Sequence, residues 1–506
     1  MRSGTQSERP SGREEAGRPR HGKGLALGVL GLASLLAGCK VGPNYQRPAT
    51  LAPPAYKEGG VAGTVTPPPG PAGGTWKAAT PSDGMLRGKW WEIYQDPQLN
   101  ALEEQIAAGN QNLRAAMEAY LSARDQVRVA RADFYPTLSV TPDVSRGQVS
   151  THRPLITKST ETGYSDFQLA GQASWEPDLW GRVRRSVEAA HENAQASAAD
   201  LANLDLSLHA ELALDYFELR GLDSDARLLT RAVSDYQNQL DLNQKLVKGG
   251  LATEVVVAQA LTQLETTRAQ LVDVNQARSQ FEHAIATLIN KEARDVTLAP
   301  APLDLALPKI PVGMPSQLIE RRPDIAAAER RAAAANAQIG IAISAFYPNV
   351  VLGGGGGFES TNAGTLIQGP SALWSLGAQA TELLFDAGKR RAITDQARHN
   401  YEAQASTYRA TVLGAFNEVE DRLSDLRVLD EESATEQRAV AAAQHSLDLS
   451  NQRYRGGATS YLEVLVADGT LLSNERTSTD LITRQFAASV GLVRALGGGW
   501  DVTQLP

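Results

Sequence analysis

Two stretches of the chain alternate apolar and polar residues with a period of two, and both lie inside long runs with helical spacing. Leu138, Val140 and Val144 alternate with Thr137, Ser139, Thr141, Asp143 and Ser145. After a polar loop, Phe167, Leu169, Ala173 and Trp175 alternate with Asp166, Gln168, Gln172 and Ser174. The pattern returns later. Val350, Leu352 and Phe358 share one parity around Gly353–Gly357, and Trp374, Leu376, Ala378 and Ala380 alternate with Ser375, Gly377, Gln379 and Thr381. One apolar and one polar face over roughly ten residues suits a transmembrane barrel strand. Two such hairpins are expected, over about 137–178 and 349–385. A half-buried soluble hairpin carries the same alternation.

A helix of unusual length follows each hairpin. Arg182 to Lys248 and Lys389 to Arg455 contain no proline and one internal glycine each, Gly221 and Gly414. Sixty-seven residues at about 1.5 Å per residue reach roughly 100 Å. Leu201, Leu204, Leu208, Leu212 and Leu219 take the three- and four-residue steps of coiled-coil packing. Both runs end at Gly-Gly, a helix stop signal. Shorter returning helices are expected over Thr253–Lys291 and Ser460–Leu496. Asn110–Asp133 and Pro323–Ala345 supply the missing length and lead back to the strands, so one continuous helix matches two stacked ones.

The chain is internally duplicated. Phe134-Tyr135-Pro136 recurs 212 residues later as Phe346-Tyr347-Pro348. Gly181 and Gly388, and the glycine pairs at 249–250 and 456–457, are each 207 residues apart. A period this long marks a duplicated domain-sized unit rather than a solenoid. The organisation read from the chain is a signal peptide (1–38), a lipid anchor and extended tether (39–96), a first repeat (97–291), an equatorial linker (292–315), a second repeat (316–497) and a short tail (498–506).

The N-terminus sets the compartment. Arg18, Arg20 and Lys23 precede an apolar stretch, Leu25–Ala37, too short to span a bilayer. Leu36-Ala37-Gly38-Cys39 then places small residues before the only cysteine in 506 residues. This is the pattern of a bacterial lipoprotein signal, with acylation (palmitate among the acyl groups) expected on Cys39. Lys40, rather than aspartate, follows, which favours the outer membrane. The tether is rich in Pro, Gly and Ala and ends at Lys89-Trp90-Trp91; adjacent tryptophans suit a membrane interface, but packing of the tether onto the folded body is the expected reading. Net charge is −8 with no basic stripe, which argues against nucleic acid.

Catalytic and cofactor motifs do not stand out. Seven histidines show no metal-ligand spacing. Gly353–Gly357 lacks the Lys-Ser/Thr of a phosphate loop. Glu320-Arg321-Arg322-Pro323-Asp324 reads as a helix start, with proline in the first turn and Asp324 favourable to the dipole. No catalytic residue, cofactor or metal is expected beyond the covalent lipid. Four strands cannot close a barrel, and open edges are not tolerated in lipid. Eight strands leave a filled interior. A conducting duct therefore needs three or more chains.

These residues resemble the outer-membrane factors, the TolC-like channels, and among them the NodT-type lipoproteins. The resemblance rests on Cys39-Lys40-Val41-Gly42-Pro43-Asn44-Tyr45-Gln46-Arg47-Pro48, Trp90-Trp91-Glu92 with Asp96-Pro97-Gln98-Leu99, Glu320-Arg321-Arg322-Pro323-Asp324-Ile325, Phe346-Tyr347-Pro348 and Leu384-Phe385-Asp386-Ala387-Gly388. It implies an α+β membrane protein: a homotrimeric 12-stranded outer-membrane β-barrel, four strands per chain, continued by a long α-helical coiled-coil periplasmic tunnel. It implies efflux of small molecules such as drugs and toxic compounds, received from a periplasmic adaptor (membrane fusion) protein and an inner-membrane transporter of the resistance-nodulation-division type.

The helix-hairpin tips then form the closed end and the adaptor contact: Gly249, Gly250 and Thr253 in one tip, and Arg453, Tyr454, Arg455, Gly456, Gly457, Thr459 and Ser460 in the other. Tyr454 and Arg455 are implied as latch residues. Thr459 stands where some relatives carry an aspartate, which argues against an acidic ring there. Asp468 is a candidate for the lumen, although helical spacing alone does not orient it. Type I protein secretion through the same duct remains open, as does a non-conducting periplasmic scaffold. A wall hydrolase is the weakest alternative.

Overall fold

A computed structural model of the chain describes residues 40–50, 52–53, 55–58, 88–150, 163–312 and 315–505. The expected signal peptide, Cys39 and the Pro67-Pro68-Pro69 stretch of the tether lie outside the described residues. A short 3-10 turn, Trp90–Tyr94, leads into helices α1 (Pro97–Gly109) and α2 (Gln111–Ala132). Strands β1 (Thr137–Gln148) and β2 (Gly163–Trp175) follow, then α3 (Arg182–Lys248) and α4 (Glu254–Leu288). The second half comprises α5 (Pro315–Arg321), α6 (Pro323–Ser344), β3 (Asn349–Ser360), β4 (Ala372–Thr381), α7 (Lys389–Arg455) and α8 (Tyr461–Ala495). The duplication is visible in the element lengths: 22 residues in α2 and α6, 67 in α3 and α7, 35 in α4 and α8. The strands stop at Trp175 and Thr381, short of the expected 178 and 385, because Pro177 and the Asp386 helix start break the alternation.

One compact unit gathers the strands with the adjoining ends of α2, α3, α6 and α7, and a second gathers the remaining helices. In the first unit the strands form one antiparallel sheet in the order β1-β2-β3-β4. Each long helix starts on an aspartate clamp. Asp178 accepts the amides of Val183 and Arg184, both at 3.0 Å, and Asp386 accepts those of Gly388 and Arg390, both at 3.0 Å. These carboxylates satisfy amides that a helix N-terminus leaves without partners. Arg184 and Arg390 close the same carboxylates from their side chains.

In the second unit the two stacked helices of each repeat meet in the same way. Asn110 caps α2, accepting the amides of Asn112 and Leu113, and its side-chain amide donates to the Leu288 carbonyl at 2.9 Å. Arg322, 212 residues later, donates to the Ala495 carbonyl at 2.9 Å and pairs with Asp324 and Glu418, both at 2.7 Å. Both residues satisfy an orphan carbonyl at the end of the returning helix. Burial opposes ionisation of Glu418, but Arg322 and Arg494 outweigh it and hold the carboxyl below its usual range. The Glu-Arg-Arg-Pro-Asp stretch is thus a helix start, with Pro323 opening α6, and also a junction clamp that the sequence did not reveal.

The proline-rich equatorial linker is pinned rather than loose. Ala301 donates to the buried Asp223 at 3.0 Å, and Arg220 donates to the Ala299 carbonyl at 2.9 Å. Around this belt Trp90, Tyr94, Leu212, Phe217, Leu219, Ile285 and Phe486 build the largest apolar cluster. Leu208, Leu212 and Leu219 are buried there, as their spacing foretold. Trp91 stacks on His209, whose Nδ1 lies 2.6 Å from the buried Glu103. Burial works against a charged imidazole at His209. Hydrogen bonds to Asp205 and Glu103 outweigh it and push the ring up to about 9.

The segment expected as an extended tether is docked where it is described. Tyr56 inserts among Leu318, Ile325, Tyr408 and Phe416, and Glu420 accepts the amides of Lys57 and Glu58 at 2.7 and 2.9 Å. Proline and glycine make such a segment extended, but extended backbone still presents amides and carbonyls that charged side chains can hold.

Replacing Arg322 with alanine leaves Glu418 and Asp324 without a central partner, and we expect a loss of about 3 kcal/mol. Thermal loss of helical circular dichroism measures it. Arg294→Ala, at an exposed pair, is expected to stay within about 1 kcal/mol.

Candidate functional site: a one-sided sheet and two hairpin tips

The strand register decides which residues share a face. Directly opposed residues of antiparallel strands point the same way. Leu138 faces Ala173, which faces Gly354, which faces Leu376. The next rows read Val140, Gly171, Gly356, Trp374 and then Pro142, Leu169, Phe358, Ala372. These three rows are apolar across all four strands, and the face turns polar only toward the far end, at Ser360, Arg146 and Ser165. The opposite face carries Asp143, Gln168 and Glu359 in one row and Ser139, Gln172, Gly355 and Ser375 in another. Leu138 is 80% exposed, Trp374 81% and Leu376 84%. So wide an exposed apolar face belongs against lipid or a partner.

Glycines in β3 make room for these side chains. A Cβ at Gly354 would lie 3.3 Å from Leu376 Cδ1, and one at Gly357 would lie 2.1 Å from the Leu169 carbonyl oxygen. The glycine run lies within the sheet wall; the tight approach of β2 accounts for Gly357, and Leu376 of β4 crowds Gly354. Pro142 lies within β1, the outermost strand of the single chain's sheet. Aromatic residues gather at the foot of the strands. The Trp175 indole donates to the Phe134 carbonyl at 2.9 Å, and the Trp180 indole donates to the Pro348 carbonyl at 2.8 Å while stacking on Tyr347. Tyr135 and Phe385 are exposed beside them, as in the aromatic girdle of a membrane interface.

The two tips share one backbone motif. Leu251 donates to the Leu246 carbonyl and Gly250 to that of Val247, with Gly250 at φ 69°. Ala458 donates to Arg453 and Gly457 to Tyr454, with Gly457 at φ 70°. This is the Schellman closure, and the left-handed residue is glycine in both copies. Gly249 and Gly456 each bond back four residues to close the last turn. Thr253 and Ser460 stand at the N-cap positions of α4 and α8 with no side-chain capping bond.

The second tip adds polar contacts that sequence spacing did not single out. Arg453 pairs with Glu463 at 2.8 Å, and Thr459 Oγ1 bonds the other oxygen of that carboxylate. The Tyr454 hydroxyl donates to the buried Asn243 at 3.4 Å, and its ring meets Tyr461 at 5.8 Å. Arg455 is exposed at the end of α7, so in this structure the tip ion pair is made by Arg453. Asp468 lies half-buried beside the Tyr236 hydroxyl, in a cluster with Leu240, Leu264, Tyr461 and Val464 nearby. Its environment is thus the helix packing. Glu463, Asn243 and Tyr236 were missed because their significance comes from pairing across elements.

The sequence profile described as outer membrane efflux protein matches residues 102–291 and 314–498, one block per repeat. The chain belongs to this family. It is 31% identical over 415 residues to the pyoverdine export outer membrane protein OpmQ of Pseudomonas aeruginosa, covering 81% of this chain and 87% of that protein. It is 28% identical over 474 residues to the cation efflux system protein CusC of Escherichia coli, covering 93% and 98%. Among solved structures, the outer-membrane channel OprN superposes with a TM-score of 0.81 at 30% identity, over 91% of this chain and all of that one. The fold is that of outer membrane efflux proteins: each chain brings four strands to a trimeric twelve-stranded barrel and continues into long helices. Members of this family are channels of efflux systems.

Two outcomes follow from this geometry. Arginine at Leu376 or Leu169 is expected to destabilise barrel insertion by about 2–4 kcal/mol at mid-bilayer depth, while Gln379→Arg, on the other face, is tolerated; folding titrations into liposomes read both. Burial pushes Asp468 up from 3.8 to about 6, with the Tyr236 hydroxyl only partly offsetting it. The folded chain holds this proton more tightly than the unfolded chain. Stability from it is complete below pH 3.8 and is lost as pH rises through about 6. Asp468→Asn is therefore expected to gain in melting midpoint over the unaltered protein as pH rises through that window; parallel curves would count against the shift.

Proposed function

We propose that the chain is the lipid-anchored outer-membrane exit duct of a tripartite efflux system, passing small molecules from an inner-membrane pump and a periplasmic adaptor to the exterior. The observation that carries this reading is the one-sided apolar face running across all four strands while β1 and β4 present unpaired outer edges. In hydrocarbon those edges must pair, and three copies supply twelve strands, enough to leave a water-filled lumen behind the polar face. The duct does no chemistry; energy comes from the pump, of the resistance-nodulation-division type in this reading. The acyl group is carried on Cys39, and the tips at Gly249–Thr253 and Arg453–Ser460 meet the adaptor and gate the closed end. Relatives are named for pyoverdine export and for cation efflux, which supports a small solute as cargo.

Deleting the gene and complementing it tests the assignment. Loss is expected to raise susceptibility to toxic small molecules without changing secreted protein levels, and the purified trimer is expected to conduct in planar bilayers. Unchanged susceptibility with lost secretion would transfer the duct to protein export, and a non-conducting monomer would leave only a scaffold.

A further inference from the structure

The residues directly after Cys39 sit in a built recess. Arg185 is fully buried, although it is an arginine in the first turn of a long helix. Its Nε donates to the Val41 carbonyl at 3.1 Å and its guanidinium NH2 to the Gly42 carbonyl at 3.1 Å. The Val41 amide donates to the Trp180 carbonyl at 3.2 Å. Three glycines make this approach possible. A Cβ on Gly42, which stands at φ +89°, would lie 2.6 Å from Gly340 Cα. One on Gly340 would lie 2.7 Å from Arg185 Nε, and one on Gly181 would lie 3.0 Å from Lys40 Cα. A buried guanidinium holding two consecutive carbonyls is a specific arrangement, since charge-assisted bonds are strong and a buried charge needs partners.

The duplication supplies an internal comparison. Position 392 is the equivalent of Arg185, because Ala392 donates to the Gly388 carbonyl as Arg185 donates to that of Gly181. There the residue is alanine, and a Cβ on Gly388 would meet nothing within 4 Å. The counterpart of Gly340, 212 residues earlier, is Arg128. Only one of the two helix starts has the buried arginine, the facing glycine and the seated N-terminal segment. General demands of a helix start therefore do not explain them.

We infer that this recess is a docking seat for the mature N-terminus, with Arg185 the positioning residue, and that it delivers the lipid on Cys39 to the bilayer at one fixed point beside Trp180. The lipid part rests on the proposed acylation of Cys39. Lys40, the first described residue, lies against Gly181 beside Trp180, and covalent geometry puts the acylated residue one step of about 3.8 Å before it. Trp180, Tyr347 and Pro348 line a cleft of about 500 Å³ there with Val350, and Val350 begins the apolar face. The anchor then works as a seated pin instead of a free leash.

The test uses the full-length protein in outer-membrane preparations, with Arg185→Ala, Arg185→Lys and Gly42→Ala. Hydrogen exchange is followed in peptides covering residues 40–43 and 186–200, and a photoactivatable fatty acid fed to the cells maps where the acyl chain crosslinks. Crosslinks in the unaltered protein are expected to concentrate on residues 175–182 and 346–352. Arg185→Ala and Gly42→Ala are each expected to raise exchange at 40–43 by about tenfold, the order expected when a charge-assisted bond is lost, and to scatter the crosslinks. Exchange at 186–200 stays unchanged, and Arg185→Lys restores protection in part. Gly42→Ala leaves Arg185 in place, so it judges the seat even if Arg185→Ala fails to fold. Unchanged exchange at 40–43 in both would overturn the seat. Absence of fatty acid on Cys39 would remove the lipid reading alone, leaving exchange to decide the seat, and scattered crosslinks in the unaltered protein would overturn the fixed point.

Discussion

A β-sheet in hydrocarbon cannot keep a free edge. Each unpaired amide or carbonyl there costs several kcal/mol, because no water replaces the missing bond. This chain has four described strands, an apolar face whose rows cross all four of them, and two open edges. Its sheet is complete only when β1 of one copy meets β4 of another. Composition follows from that condition: Gly357 and Gly354 let the β2 backbone and Leu376 approach, and aromatic residues hold the strand feet.

Much of this was legible because periodicity is a local signal. The 67-residue helices can be read from the absence of proline and the Gly-Gly stops, and the strand faces from parity alone. The sheet rows needed the register, but parity already assigned each residue to its side. Pairing across elements could not be read in the same way. Nothing near Glu103 announces His209, and nothing near Tyr454 announces Asn243, 211 residues away. The proline- and glycine-rich start of the chain suggested a leash, whereas Arg185 and Glu420 hold its backbone directly. Composition reports what a backbone can do without partners, and here the partners are distant side chains.

The duplication separates what the fold requires from what one copy has acquired. Aspartate clamps at the long-helix starts, Schellman closures at the tips and a side chain reaching the last carbonyl of the returning helix occur in both halves. Those features answer the general problem of helix ends. The differences are more informative. Asn110 needs one neutral hydrogen bond at its junction, while Arg322 brings a charge that recruits Asp324 and Glu418. The second junction is therefore more tightly specified and more easily broken by loss of one member.

The same contrast bears on the tips. Both turns are closed by backbone bonds around a left-handed glycine, so neither loop has slack to move by itself. Any opening must be carried by the helices, and resistance to it comes from side chains that join one helix to another. In the first repeat the tip residues offer exposed Leu251 and small neighbours. In the second, Arg453, Glu463 and Thr459 tie α7 to α8, and Tyr454 reaches across to α3 at Asn243. Two backbones of one design thus carry different polar contacts at their tips. The α3–α4 pair is tied farther from its tip, where Arg268 donates to Gln237 at 2.9 Å and Arg278 to Asp223 at 2.5 Å, so the two hairpins differ in where along their length side chains join them.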